Sequence, residues 1–278
     1  MDLGIAIFAT DRTWPVAELA RAAEDLGFAS LAVPEHTHMP VEHSPHPAGQ
    51  GLPDEYTRTL DPTVSLSVAA AVTTELRLVY GVLLLAQHDP IVTAKAIATL
   101  DHVSDGRVEV GVGYGWNRPE LVDHGVAWGD RRDVVRDRVA VLRALWTDEE
   151  ATLDAPHASL APSWAWPKPV QAGGPPVLLG AALGPRTLEA LATSFDGWMP
   201  LGRNATLTGL DDVRGAFADA GRSQPPRVHV VGTSPDPDGL AQLAEAGVDQ
   251  VTLWLPPAGE DEVRPVLERY ARLHADLA

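Results

Sequence analysis

Cysteine is absent from the chain, which removes disulfides, thiolate nucleophiles and Cys-type metal sites together and is compatible with the cytosol. Lysine is almost as scarce: Lys95 and Lys168 supply all of it. An anionic ligand would therefore be held by arginine, backbone N–H groups and helix N-termini. No run of about 18 apolar residues occurs, and the opening MDLGIAIF has neither the basic flank nor the cleavage site of a signal peptide. The chain reads as cytoplasmic, with no membrane partner. H-E-x-x-H, the P-loop, the G-x-S-x-G elbow and carboxylate pairs at metal spacing are all missing, so metal hydrolysis, nucleotide hydrolysis and serine acyl transfer have no foothold and no metal site is expected. Basic residues are in the minority, 21 against 38 acidic, for a net charge of −17. That balance disfavours nucleic acid as a partner.

What is present is a regular alternation. Leu3 to Phe8 reads as a strand, and the helix up to Leu26 places Val16, Leu19, Ala20, Ala23 and Leu26 on one face before Gly27 stops it. Ala29 to Val33 is a second strand, followed by a polar, Pro- and Gly-containing loop from Pro34 to Leu60 of the kind that carries function. Asp61-Pro62 and Asp89-Pro90 each open a helix, Asp as the cap and Pro at the first helical position. Between them Leu76 to Leu85 is almost continuously apolar, as in a parallel strand covered on both faces. Val108 to Val112 is strand, and 131–146 is helix. A proline-rich insertion over about 149–175 precedes strand 177–180, helix 185–194, strand 197–199, a helix near 206–220, strand 228–231, helix 238–246, strand 250–255 and a closing helix from about 260 to 277. Eight β-then-α units in 278 residues match a (β/α)8 TIM barrel better than a doubly wound sheet. The expectation is one domain over residues 1–278, with insertions after strands 2 and 4.

The segment from Thr99 to Trp146, TLDHVSDGRVEVGVGYGWNRPELVDHGVAWGDRRDVVRDRVAVLRALW, resembles the luciferase-like monooxygenase superfamily, in particular its branch using coenzyme F-420. Supporting matches are ARAAEDLGFASLAVPEH (20–36), LRLVYGVLLLAQHDPIVTAKAIATLDHVSDGR (76–107), PKPVQ (167–171) and DGWMP (196–200). Each is weak alone; their order on eight βα units is specific, and together they span about residues 3–255.

The resemblance implies an active site at the C-terminal ends of the strands, where a TIM barrel carries its chemistry in any case. His36 follows strand 2 where the family usually shows Asp-His. It is the expected general acid or base, because an imidazole exchanges protons near neutral pH; the alternative is a loop histidine bonded to its neighbours. Glu35 stands in place of the usual Asp and would hold the histidine or touch the cofactor. His38 and His43 are weaker candidates. Gly81 and Val82 occupy the place where relatives have a non-prolyl cis peptide against the cofactor ring. Gly111, Gly113 and Gly115 form a G-x-G-x-G pattern that is not the dinucleotide fingerprint. Alternating glycines would leave one strand face bare for a ring or ribityl chain, or simply serve close packing. Tyr114, Trp116 and Asn117 would project nearby, with Glu120 and Arg131 as structural partners. Trp116 stands where sugar-phosphate-oxidising relatives have a glutamate, which argues against their mechanism here.

Gly180, Ala181 and Ala182 follow strand 5, where the family holds the cofactor phosphate on backbone N–H groups, and Arg186 would contact a phosphate or polyglutamate tail or else be a solvated helix charge. Trp198 would close the pocket or sit buried in the barrel. His157, Trp164 and Trp166 in the insertion would form a lid or pack. The function implied is an F-420-dependent oxidoreductase moving hydride between the deazaflavin and a small organic substrate, as a homodimer. The alternatives are a monooxygenase using reduced FMN and O2 with a separate flavin reductase, and a non-catalytic flavin-binding subunit.

Overall fold

The Asp-Pro pairs set the helix starts. In the computed structural model, which describes residues 1–49 and 51–277, Asp61 accepts from the Val64 N–H ahead of helix α2 (Pro62–Ala70), and Asp89 accepts from Ile91 and Val92 ahead of α3 (Pro90–Val103). The same device recurs at Asp236, which accepts from Gly239 and begins α8 at Pro237 (Pro237–Glu245). Each cap satisfies N–H groups that a helix start leaves free. The other helices are α1 (Val16–Asp25), α4 (Arg118–Asp123), α5 (Arg131–Thr147), α6 (Pro185–Ser194), α7 (Arg203–Asp219) and α9 (Glu260–Leu277). Helix α4 was not foreseen from the sequence: it is six residues long, too short to show a hydrophobic period.

Eight parallel strands close a barrel. They are β1 (Asp2–Ala6), β2 (Ser30–Val33), β3 (Arg77–Leu83), β4 (Val108–Gly113), β7 (Val177–Gly180), β8 (Gly197–Trp198), β9 (Arg227–Val231) and β10 (Gln250–Trp254), hydrogen-bonded in the order β1-β10-β9-β8-β7-β4-β3-β2 and back to β1. The expected (β/α)8 barrel is therefore present. The proline-rich insertion is not irregular throughout: β5 (Ala151–Ala155) and β6 (Ala158–Ser163) form a separate antiparallel hairpin. Only one face of it is covered, against α5, so its sequence lacks the apolar run of the barrel strands.

Alternation along the strands separates two cores. Residues such as Ile5, Leu31, Leu78, Val110 and Val230 face the helices. Ala6, Ala32, Val79, Leu178, Met199 and Val231 fill the barrel interior. Below them, at the strand starts, the interior is polar: His229 and Glu109 pair while fully buried, Arg77 reaches Asp2 and Gln250, and Gln250 bonds Ser30. Above them lies the mouth, where β2, β3, β4 and β7 deliver the candidate site. Several of the recognisable motifs turn out to be scaffold. Arg107 donates to the carbonyls of Ala70, Thr73, Leu76 and Ser104, and Gln171 of the PKPVQ segment bonds Asp101 and the Val108 carbonyl.

Candidate active site

Two consecutive residues leave the end of β2 in different directions, and each meets an opposite partner. Glu35, 4% exposed, turns toward the end of β3. Its carboxylate accepts the Leu84 N–H at 2.7 Å and the His88 Nε2–H at 2.6 Å. Burial alone would lower the His88 pKa, but the hydrogen bond and charge of Glu35 outweigh it and the pKa is raised. Glu35 thus anchors the loop after β3 through His88 and does not hold His36, as one of the two roles expected for it required.

His36 turns toward β4. Its Nδ1 lies 2.9 and 3.1 Å from the two carboxylate oxygens of Glu120, and both side chains are buried. A carboxylate only accepts, so Nδ1 carries the proton and Nε2 of the neutral ring keeps its lone pair. The His36 carbonyl accepts from the Thr59 hydroxyl at 2.7 Å, fixing the backbone as well. The expected structural role for Glu120 is therefore too general: helix α4 presents it to the candidate proton carrier. Tyr56 and Trp116 flank the His36 ring at centroid distances of 5.1 and 5.7 Å, and His46 packs edge-on against both. Tyr56 and His46, in the long loop after β2, were not singled out from the sequence; nothing in that loop's composition marks them.

The Gly81–Val82 peptide is cis, and the β3–β4 register shifts between Tyr80 and Leu83. Val82 then projects inward between two other candidates. A Cβ on Gly113 would come within 2.6 Å of Val82 Cγ2, and one on Gly180 within 2.7 Å of Val82 Cγ1. A Cβ on Gly111 would meet Met199 Sδ. Space left by the alternating glycines of β4 is thus taken by Val82 and Met199 side chains, as the close-packing alternative requires. Gly115 differs: its φ is +74° and its nearest contact is Leu84 at 4.0 Å, so a turn conformation explains it.

The opposite side of the mouth, over β4 and β7, is cationic. Arg132 lies over the Tyr114 ring at 4.9 Å and approaches Thr187 at the start of α6. Burial pushes the Tyr114 hydroxyl pKa up despite Arg132 and Arg186, so it remains a donor at neutral pH. Arg186 is 70% exposed, 3.8 Å from Asp133. Gly180 and Ala181 are half-buried and Ala182 is exposed at the entrance to α6, whose first turn has no side-chain cap. An uncapped helix start between arginines could hold an anion. Arg131, by contrast, stacks on Trp128 at 3.7 Å and donates to its carbonyl, a structural role as expected.

Other candidates fall away from this centre. His38 pairs with Asp123 and His43 donates to the Ser44 carbonyl, both exposed. Trp198 is buried in the barrel wall and donates to the Ala181 carbonyl. Trp164 lines a cavity of about 220 Å³ formed by α3, α5 and β6 on the outside of the barrel, so the hairpin packs there instead of covering His36. Among the described residues no cluster of His, Cys, Asp and Glu could hold a metal ion, and no helix is long and apolar enough to cross a membrane.

A family model described as luciferase-like monooxygenase matches residues 9–274. The chain is 46% identical over 279 residues to an uncharacterized protein of Mycobacterium tuberculosis, covering 98% of each. Among solved structures, an F-420-dependent secondary alcohol dehydrogenase in complex with an F-420-acetone adduct superposes with a TM-score of 0.79 at 17% identity, covering 100% of both chains. The oxygenating constituent of 3,6-diketocamphane monooxygenase from Pseudomonas putida, in complex with FMN, gives a TM-score of 0.66 at 19% identity, covering 84% of this chain and 67% of that one. At such identities these two structures speak for the fold alone.

Proposed function

This chain belongs to the luciferase-like monooxygenase family, and from that premise we propose that it is an oxidoreductase using coenzyme F-420, with His36 as the group that exchanges a proton with the substrate. The observation that carries the reading is the buried His36–Glu120 pair at the C-terminal end of β2, which occupies Nδ1 and leaves Nε2 to accept a proton. Removing hydride from an alcohol requires somewhere for the hydroxyl proton to go, and a neutral imidazole at 3 Å or so would take it.

The residues present suit a deazaflavin. The uncapped start of α6, with the 180–182 backbone, Arg132 and Arg186 around it, suits a phosphate with further negative charge beyond it. Val82, pinned between Gly113 and Gly180, offers an apolar bulge on which a planar ring can rest. When bound, the deazaflavin supplies two-electron hydride chemistry at C5. The chain's own contribution is to orient His36 through Glu120, to hold the β3 loop through Glu35, and to shield the proton exchange with Tyr56 and Trp116. Reduced FMN with O2 is the second reading, favoured by the fold shared with the FMN-containing oxygenase; it makes no use of arginines beyond a single phosphate.

The test is His36→Ala. F-420 affinity, measured by fluorescence quenching, is expected to stay within a few fold of the parent while turnover falls by roughly 10²-fold or more. Unchanged turnover would remove His36 from the chemistry.

A further inference from the structure

Aromatic residues make up only 6% of the chain, yet the side of the mouth formed by β1, β2 and β10 is lined with them. Trp254, closing β10, stacks on Phe8 at 5.2 Å, and Phe8 meets Tyr56 at 4.7 Å. Tyr56 lies beside His36, and His46 stands edge-on to Tyr56 and Trp116 at 5.0 and 5.4 Å. Of these rings Tyr56 and Trp116 flank the imidazole that Glu120 orients, and the others continue the cluster from them. The guanidinium groups on this side are already neutralised: Arg58 binds Asp11 and Asp54 at 3.0 and 2.9 Å, and Arg12 binds Asp54 at 2.8 Å. Arg132 and Arg186 lie on the other side, around Tyr114. The mouth is thus uneven in charge: near Tyr114 Arg132 has no carboxylate partner among the described residues, whereas the guanidinium groups beside the aromatic cluster are paired.

We infer that the aromatic half is the substrate subsite and that it takes an uncharged, ring-bearing alcohol or the corresponding carbonyl compound. The inference rests on the oxidoreductase reading above. His36 is only 9% exposed, so an oxygen reaching Nε2 leaves water, and the hydroxyl or carbonyl of a neutral substrate is matched there by the imidazole. A phosphate, sulfonate or carboxylate would be stripped of water against aromatic edges without a counter-charge, which is far more costly. In the oxidative direction a bound deazaflavin would supply the hydride acceptor for the carbinol carbon, while His36 Nε2 would take the hydroxyl proton, so that the alcohol would leave as the carbonyl compound.

The test uses two probes of the same shape that differ by one charge, acetophenone and 4-acetylbenzoate, with affinities measured on the wild-type chain at pH 7 by ligand-observed saturation-transfer NMR. Oxidised F-420 with 1-phenylethanol or with glucose 6-phosphate is followed in parallel at 420 nm. Acetophenone is expected to bind at least tenfold more tightly than 4-acetylbenzoate, and Tyr56→Leu to weaken acetophenone by roughly three- to tenfold through loss of aromatic contact. Equal or tighter binding of the carboxylate, or an acetophenone affinity unmoved by Tyr56→Leu, would overturn the subsite. The two readings fail separately. Discrimination between the probes without any F-420 turnover keeps the subsite and removes the cofactor; F-420 reduction by glucose 6-phosphate and not by 1-phenylethanol does the reverse.

Discussion

Placing a methyl group on Gly113 tests how the mouth is built. Gly113 does not have a left-handed backbone, so alanine is conformationally acceptable and would by itself gain about 0.5–1 kcal/mol over glycine in a strand. The opposing effect is steric. The new Cβ would sit 2.6 Å from Val82 Cγ2, roughly 1 Å inside the distance at which two carbons are comfortable. Val82 has no retreat, because its Cγ1 already fills the space beside Gly180, where an added Cβ would come within 2.7 Å. Overpacking of this kind costs about 1–3 kcal/mol, so Gly113→Ala is expected to lower stability by about 1–2 kcal/mol net. Val82→Ala removes the collision. The double variant should therefore be no less stable than Val82→Ala alone, a coupling of at least about 1 kcal/mol.

Urea denaturation of the parent, both singles and the double, with unchanged m-values, gives the cycle. Gly115→Ala is the control: its cost comes from φ of +74° with nothing nearer than 4.0 Å, so Val82→Ala should not rescue it. Additive losses for Gly113 and Val82, within about 0.3–0.5 kcal/mol, would refute the claim that Val82 is what the glycine of β4 accommodates.

Two further outcomes follow from the paired side chains. Glu120→Gln keeps the volume but offers Nδ1 of His36 an amide in place of a carboxylate, so turnover should fall by roughly 10²-fold or more with little change in F-420 affinity; a pH–rate profile of unaltered shape and height would show that Glu120 only packs. The raised His88 pKa means that the charged pair with Glu35 stabilises the fold fully below the unfolded value of about 6.5, and that this contribution is lost as pH rises through the folded pKa. His88→Ala should accordingly cost about 1.5–3 kcal/mol near pH 6 and measurably less near pH 9; a cost that grows with pH would reverse the sign and exclude the pair.

The barrel was legible because its strands are buried on both faces. Runs such as Leu76–Leu85 carry that signature, and the Asp-Pro pairs mark helix starts chemically. The β5–β6 hairpin was not legible: alternate residues are exposed and Pro162 interrupts β6, so it resembles a loop. In the site, His36 was readable from its place after β2, but its partner lies 84 residues away and that of Glu35 lies 53 away. No local period connects such positions. The glycine pattern of β4 was visible, whereas what occupies the vacated space is decided by a neighbouring strand, through Val82. Arg132 and the aromatic ring of Tyr56 belong to the same class of feature, being unremarkable in their own segments and defined by what the closed barrel brings beside them.

The most direct measurement is a parallel titration of the purified apo-protein with coenzyme F-420 and with FMN, followed by fluorescence quenching at low ionic strength and again with added salt. The proposed division of the mouth predicts submicromolar F-420 binding that weakens with salt, as arginine contacts to a charged tail would, and FMN binding at least tenfold weaker. Submicromolar binding of FMN with none of F-420 would contradict it.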